Sequence, residues 1–64
     1  MDRITALRQI VADRQYAKVE GVLVDAFTAT AILACHDAGS ANTQQIIATA
    51  PLVKVAELSL RLVR

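Results

Sequence analysis

Tyr16-Ala17-Lys18-Val19-Glu20-Gly21-Val22-Leu23-Val24-Asp25 is the stretch on which the fold turns. Val19, Val22 and Val24 are β-branched, and strands favour such residues. Gly21 can take the positive φ that a tight hairpin turn demands. A two-residue turn at Glu20-Gly21 predicts Val19 opposite Val22 and Ala17 opposite Val24. Glu-Gly is a weaker turn signal than Asn-Gly or Asp-Gly. An isolated two-stranded hairpin is marginal in water, so this one must pack on a helix or on another chain. Tyr16 and Phe27, the only aromatics, are expected to pin it to the core.

On either side of the hairpin the spacing becomes helical. Ile4, Leu7 and Val11, widened by Ile10, recur with a helical period. They predict an amphipathic helix from Asp2, its N-cap, to about Gln15. Arg3, Arg8, Asp13 and Arg14 lie mostly off that stripe. Arg3, Arg8 and Arg14 could form a basic ridge, but a solvated face is the commoner explanation. Beyond the hairpin, Phe27 to Ala38 reads as a second helix stopped by Gly39. Thr28 is its expected N-cap, because Phe27 and Ile32 then stand at hydrophobic-staple spacing, with Asp25 as the competing cap. Asn42 and Gln45 fit a capping box for a short third helix. Pro51 ends that helix and opens a closing one to about Val63. The fold class expected is mostly α (α+β): an N-terminal helix, a β-hairpin, then two or three short helices, in a single small domain spanning residues 1–64.

The closing helix is unusually apolar. At ~100° per residue, Lys54, Glu57, Arg61 and Arg64 cluster on one narrow arc, and Glu57 and Arg61 stand in the favourable (i, i+4) order. Apart from Ser59 the rest is apolar, over well more than half the circumference. A surface helix needs an apolar stripe of only ~100°. In a chain of 64 residues the excess predicts a self-interface, with a symmetric dimer as the simplest form. Val55, Leu58, Leu62 and Val63 are the residues expected there.

Composition excludes several classes. One cysteine, Cys35, rules out an internal disulfide and a Cys-rich zinc site. One His and one Cys do not make a metal site, and no cofactor-binding motif is present, Gly21 and Gly39 being isolated. With 55% hydrophobic residues and net charge +1, disorder is not expected, nor is a strong pull toward nucleic acid or membrane. The run Ala26 to Cys35 is too short to span a bilayer, and no leader-like start is visible. Cys35-His36-Asp37 holds nucleophile, base and acid types together. Successive helical side chains point ~100° apart and do not converge on one substrate. No catalytic residues are expected, and the chain reads as non-enzymatic. A second reading is a dimeric helix-turn-helix-like DNA-binding protein. Asn42, Thr43, Gln44 and Gln45 are types that read base edges, with Gln44 and Gln45 as the contacts. No Lys or Arg lies between Lys18 and Lys54, so that helix lacks phosphate anchors and nucleic acid is the weaker expectation.

Residues Gln15 to Ile32, with Val-Asp-Ala-Phe-Thr-Ala at 24–29, and the close Pro51-Leu52-Val53-Lys54-Val55-Ala56-Glu57-Leu58 carry a resemblance. They resemble small uncharacterised proteins encoded by bacteriophages and prophages, notably those of actinobacteria. Members share a hairpin glycine, a Val-Asp-x-Phe-Ser/Thr-Ala helix start and a Pro-led closing helix. They often carry an aromatic where His36 stands and a Leu near Gly39, so His36 is not a family site. The resemblance implies an accessory protein in the host cytoplasm that binds a host or phage protein, and it carries no established activity.

Overall fold

The computed structural model describes residues 2–62. The order is α1 (Arg3–Asp13), β1 (Ala17–Val19), β2 (Val22–Val24), α2 (Ala26–Ala38), α3 (Ala41–Thr49) and α4 (Leu52–Leu62). This is the mostly helical α+β arrangement that the sequence predicts. α2 is central and packs against both α1 and α4. Leu7, Val24 and Ile32 are its fully buried centre, with Ile10, Val19 and Leu52 around them.

α1 begins as expected, with the Asp2 carboxylate accepting from the Thr5 N–H at 2.7 Å. Its end holds a surprise. Arg14 sits in the left-handed region at φ 53°. The Arg14 N–H donates to the Val11 carbonyl and the Gln15 N–H to the Ile10 carbonyl. This is a Schellman closure, normally built on glycine.

The hairpin has the expected register, Val19 opposite Val22 and Ala17 opposite Val24. Glu20 and Gly21 have φ of 53° and 78°, the positive pair a type I′ turn requires. Side chains alternate across a strand, so Val19 and Val24 point into the core while Lys18 and Leu23 point out. Tyr16 and Phe27 do not pin the hairpin. They are 68% and 69% exposed. The small valines already fill the space under a three-residue ladder.

Two caps differ from expectation. Asp25, not Thr28, caps α2, accepting from the Thr28 N–H at 2.7 Å. Its φ and ψ of -91° and 172° continue β2, so the helix starts with no loop between. Starting there puts Phe27 in the first turn, facing outward. Ser40, not Asn42, caps α3, accepting from the Thr43 N–H at 3.3 Å. Gly39 does stop α2, but at φ -85° rather than a positive value. Space explains it: a Cβ on Gly39 would lie 2.7 Å from Thr43 Cγ2 and 2.9 Å from the Cys35 carbonyl oxygen. The first turn of α3 therefore folds directly onto the end of α2. Pro51 precedes α4, and its carbonyl accepts from the Lys54 and Val55 N–H groups. Its missing N–H costs nothing at that place.

Candidate functional site

α4 splits its wide apolar arc. Leu52, Val55 and Ser59 are buried against the body. Leu58 and Leu62 flank that line and remain 56% and 76% exposed. They border an apolar groove of about 150 Å³ between α3 and α4, closed at its α2 end by Cys35. Ile47, Val55 and Ser59 form its buried floor, and Thr43 stands on its α3 wall. Ile46, 52% exposed, forms the facing rim.

Of the expected interface residues, Leu58 and Leu62 line the groove and are open to solvent. Val55 also lines it, but as a core residue. The line Leu52, Val55, Ser59 is what α2 and the rest of the body cover, so Val55 is not free for a partner. Val63 lies outside the described residues. Ile46 is not among the interface residues that the α4 wheel points to, although its own helix carries a signal. Ile46 and Ile47 are adjacent, and consecutive helical positions diverge by ~100°. On a short helix covered along one side, one of the two is therefore expected to lie toward the surface. Ser59 is the lone polar break on the apolar arc of α4, yet it is buried. Glu57 and Arg61 make no ion pair among the described residues, whose pairs are Arg3–Glu20, Arg8–Asp37 and His36–Asp37.

The charged groups hold the scaffold around this groove. Arg3 does not join a solvated ridge; its side chain is 7% exposed. Nε and Nη2 donate to Glu20 Oε2 and Oε1, both at 2.6 Å. Nη1 donates to the carbonyls of Ile47 at 2.7 Å and Ala50 at 2.6 Å. One guanidinium thus ties the α1 start, the hairpin turn and the α3 end together. A cation in the first turn of a helix opposes the helix dipole. Here the negative end of α3 and the Glu20 carboxylate compensate it. The hydrogen bond from Arg3 holds the Glu20 carboxyl below its ordinary range.

Arg8 pairs with Asp37, Nη2 to Oδ1 at 2.8 Å, clasping α1 to the end of α2. His36 Nδ1 lies 3.0 Å from Asp37 Oδ1. These hydrogen bonds, Arg8 first and then His36, lower the Asp37 carboxyl to about 2. His36 and Asp37 therefore meet despite being consecutive, because the imidazole swings back toward its neighbour. Cys35 lines the groove instead, which neither His36 nor Asp37 borders. Gln44 is half-buried and donates from Nε2 to the His36 carbonyl at 3.0 Å, while Gln45 is exposed. The amide of Gln44 is thus engaged in closing the α2–α3 corner. Among the described residues no group of three or more His, Cys, Asp or Glu could hold a metal ion, and no helix is long and apolar enough to cross a membrane.

Comparison of the chain with protein-family models, curated proteins and solved structures finds no match.

Proposed function

We propose that this chain is a non-enzymatic, self-associating interaction module, and that its occupant at the α3–α4 groove is a second copy of itself. One observation carries the reading: Ile46, Leu58 and Leu62 stand open around a buried apolar floor. A cavity of about 150 Å³ accepts a benzene-sized group, so the groove has room for one leucine side chain. Leu62 is the most exposed large apolar residue described. In a two-fold arrangement with α4 antiparallel to its mate, each Leu62 enters the other copy's groove. One contact made twice then satisfies both surfaces, as isologous interfaces require.

Magnitudes set the expected strength. Removing the exposed part of each rim side chain from water contributes about 1–2 kcal/mol, scaled from about 1.5–3 for full burial. Six such side chains in a dimer contribute of the order of 6–12 kcal/mol. Association costs about 4–15 kcal/mol. The dimer is therefore concentration-dependent, and its test is sedimentation from low to high micromolar concentration. The mass should rise toward twice that of one chain, with little effect of salt. A monodisperse monomer at high micromolar concentration overturns the reading. Leu62→Asp should abolish association with the helical signal intact, because that side chain is outside the core.

The resemblance to phage and prophage proteins extends the proposal. The module would act as an accessory protein in the host cytoplasm, with a host or phage protein as its target. The DNA-binding alternative through Gln44 and Gln45 has less support, since the Gln44 amide is already engaged. No mobility shift of duplex DNA at low salt would end it.

A further inference from the structure

A second cleft, of about 340 Å³, lies on a different surface and shares no residue with the groove. One wall is Ala6, Gln9, Ile10 and Asp13, the i, i+3, i+4, i+7 face of α1. The other is the continuous run Gln15 to Val19. Side chains alternate across a strand, so a cleft touching 17, 18 and 19 in succession runs along the strand edge rather than over one face. No β2 residue lines it, so the edge is the free one.

The hairpin geometry says what that edge offers. In a two-residue turn the closing pair, Val19 and Val22, is hydrogen-bonded. Pairs then alternate, which makes Lys18 and Leu23 a non-hydrogen-bonded pair. The N–H and C=O of Lys18 therefore point away from β2, into the cleft. Lys18 makes no other backbone–backbone hydrogen bond among the described residues. The same alternation turns those of Tyr16 the same way. Unpaired backbone groups along a strand edge, with a helix as the facing wall, fit an extended peptide.

We propose that the cleft between α1 and the free edge of β1 binds an extended segment of a partner protein as a third strand, with an acidic side chain opposite Lys18. A two-fold pairing of copies centred on Lys18 would set Lys18 directly against its own symmetry mate, and like charges directly opposite destabilise a ladder; one centred on Ala17 sets Lys18 against Tyr16 of the other copy and leaves its charge unmatched. Lys18 makes no ion pair among the described residues, so its ammonium is free for a carboxylate. The exposed Tyr16 ring, at the cleft wall, adds apolar contact for the same segment. This goes beyond self-association and uses another face, so either can fail alone.

The test selects a randomised octapeptide display library on the immobilised full chain, then titrates the synthetic consensus peptide. The expected consensus carries Asp or Glu at one position. N-methylation scanned along the peptide should weaken binding at every second residue only, by about fivefold for each hydrogen bond lost. Lys18→Pro removes the outward N–H and spares the ladder bonds of Ala17 and Val19. It should cause a similar loss with the helical signal unchanged; were it to unfold the chain, the N-methyl scan on the native protein decides. Lys18→Glu should shift selection toward basic peptides. No enriched peptide, binding indifferent to N-methylation, or amide shifts centred on Ile46, Leu58 and Leu62 would each overturn the proposal.

Discussion

Replacing Arg3 by Met tests the argument that one buried guanidinium fastens three elements. Met has a similar apolar stem but donates nothing, so the change isolates the four hydrogen bonds. The two to Glu20 end on an exposed carboxylate, and exposed ion pairs contribute only about 0–1 kcal/mol. The two to the Ile47 and Ala50 carbonyls are part-buried and charge-assisted. Hydrogen bonds to charged groups are worth about 1.5–3 kcal/mol each. Water can reach part of the site after truncation, which takes the expected total to about 2–4 kcal/mol. A core of this size supplies roughly 3–5 kcal/mol, so Arg3→Met should bring the chain to the edge of unfolding at room temperature. In melting temperature the loss corresponds to about 8–32 °C, at ~4–8 °C per kcal/mol. Urea and thermal unfolding followed by far-ultraviolet circular dichroism would measure it. Arg3→Lys keeps the charge but not the fork and should recover less than half. An Arg3→Met protein within about 0.5 kcal/mol of the parent, the ordinary range for surface changes, would refute the reasoning. The three elements would then be held by apolar packing alone.

Other consequences are smaller and independent. Arg14→Gly should stabilise the chain by about 0.5–1 kcal/mol in the same unfolding assay, because glycine relieves the left-handed Schellman position. Gly39→Ala should destabilise it by about 1–3 kcal/mol, since the new Cβ meets Thr43 and the Cys35 carbonyl oxygen. The pH dependence has a definite sign. The Asp37 carboxyl is depressed to about 2, so its stabilisation is present above the unfolded carboxylate range near ~4. It is lost as pH falls from there through about 2. Denaturant midpoints across that window should fall less steeply in Arg8→Gln than in the parent, and an identical slope would remove Arg8 as the cause.

Several features were legible in the sequence because their causes are local. The Val19–Val22 register follows from a two-residue turn. The α1 cap needs only Asp2 and the backbone of the next turn, and the break at Pro51 is likewise a property of a single residue. The apolar excess of α4 also follows from the wheel. The caps of α2 and α3 lie two or three residues before the ones the side-chain motifs predict. Thr28 and Asn42 matched side-chain motifs, but the backbone is already extended at Asp25 and Ser40, and a helix starts at the first competent cap that the preceding chain delivers.

What only the tertiary structure decided is how distant groups meet. Nothing within a few residues of Arg3 shows that Glu20 and the α3 carbonyls will surround it, for those contacts span 17 to 47 residues of chain. Tyr16 and Phe27 are the largest apolar side chains by type, yet the valines of a short hairpin fill the core before them. Val55 and Leu58 carry equal hydrophobic weight on the wheel, and only the placement of α2 beside α4 makes one the floor of a groove and the other its rim. The sequence by itself determined which elements form and how much apolar surface they must hide. Which part is hidden depends on the packing of α2 against α1 and α4, because burial is a property of neighbours and neighbours are set by the whole chain.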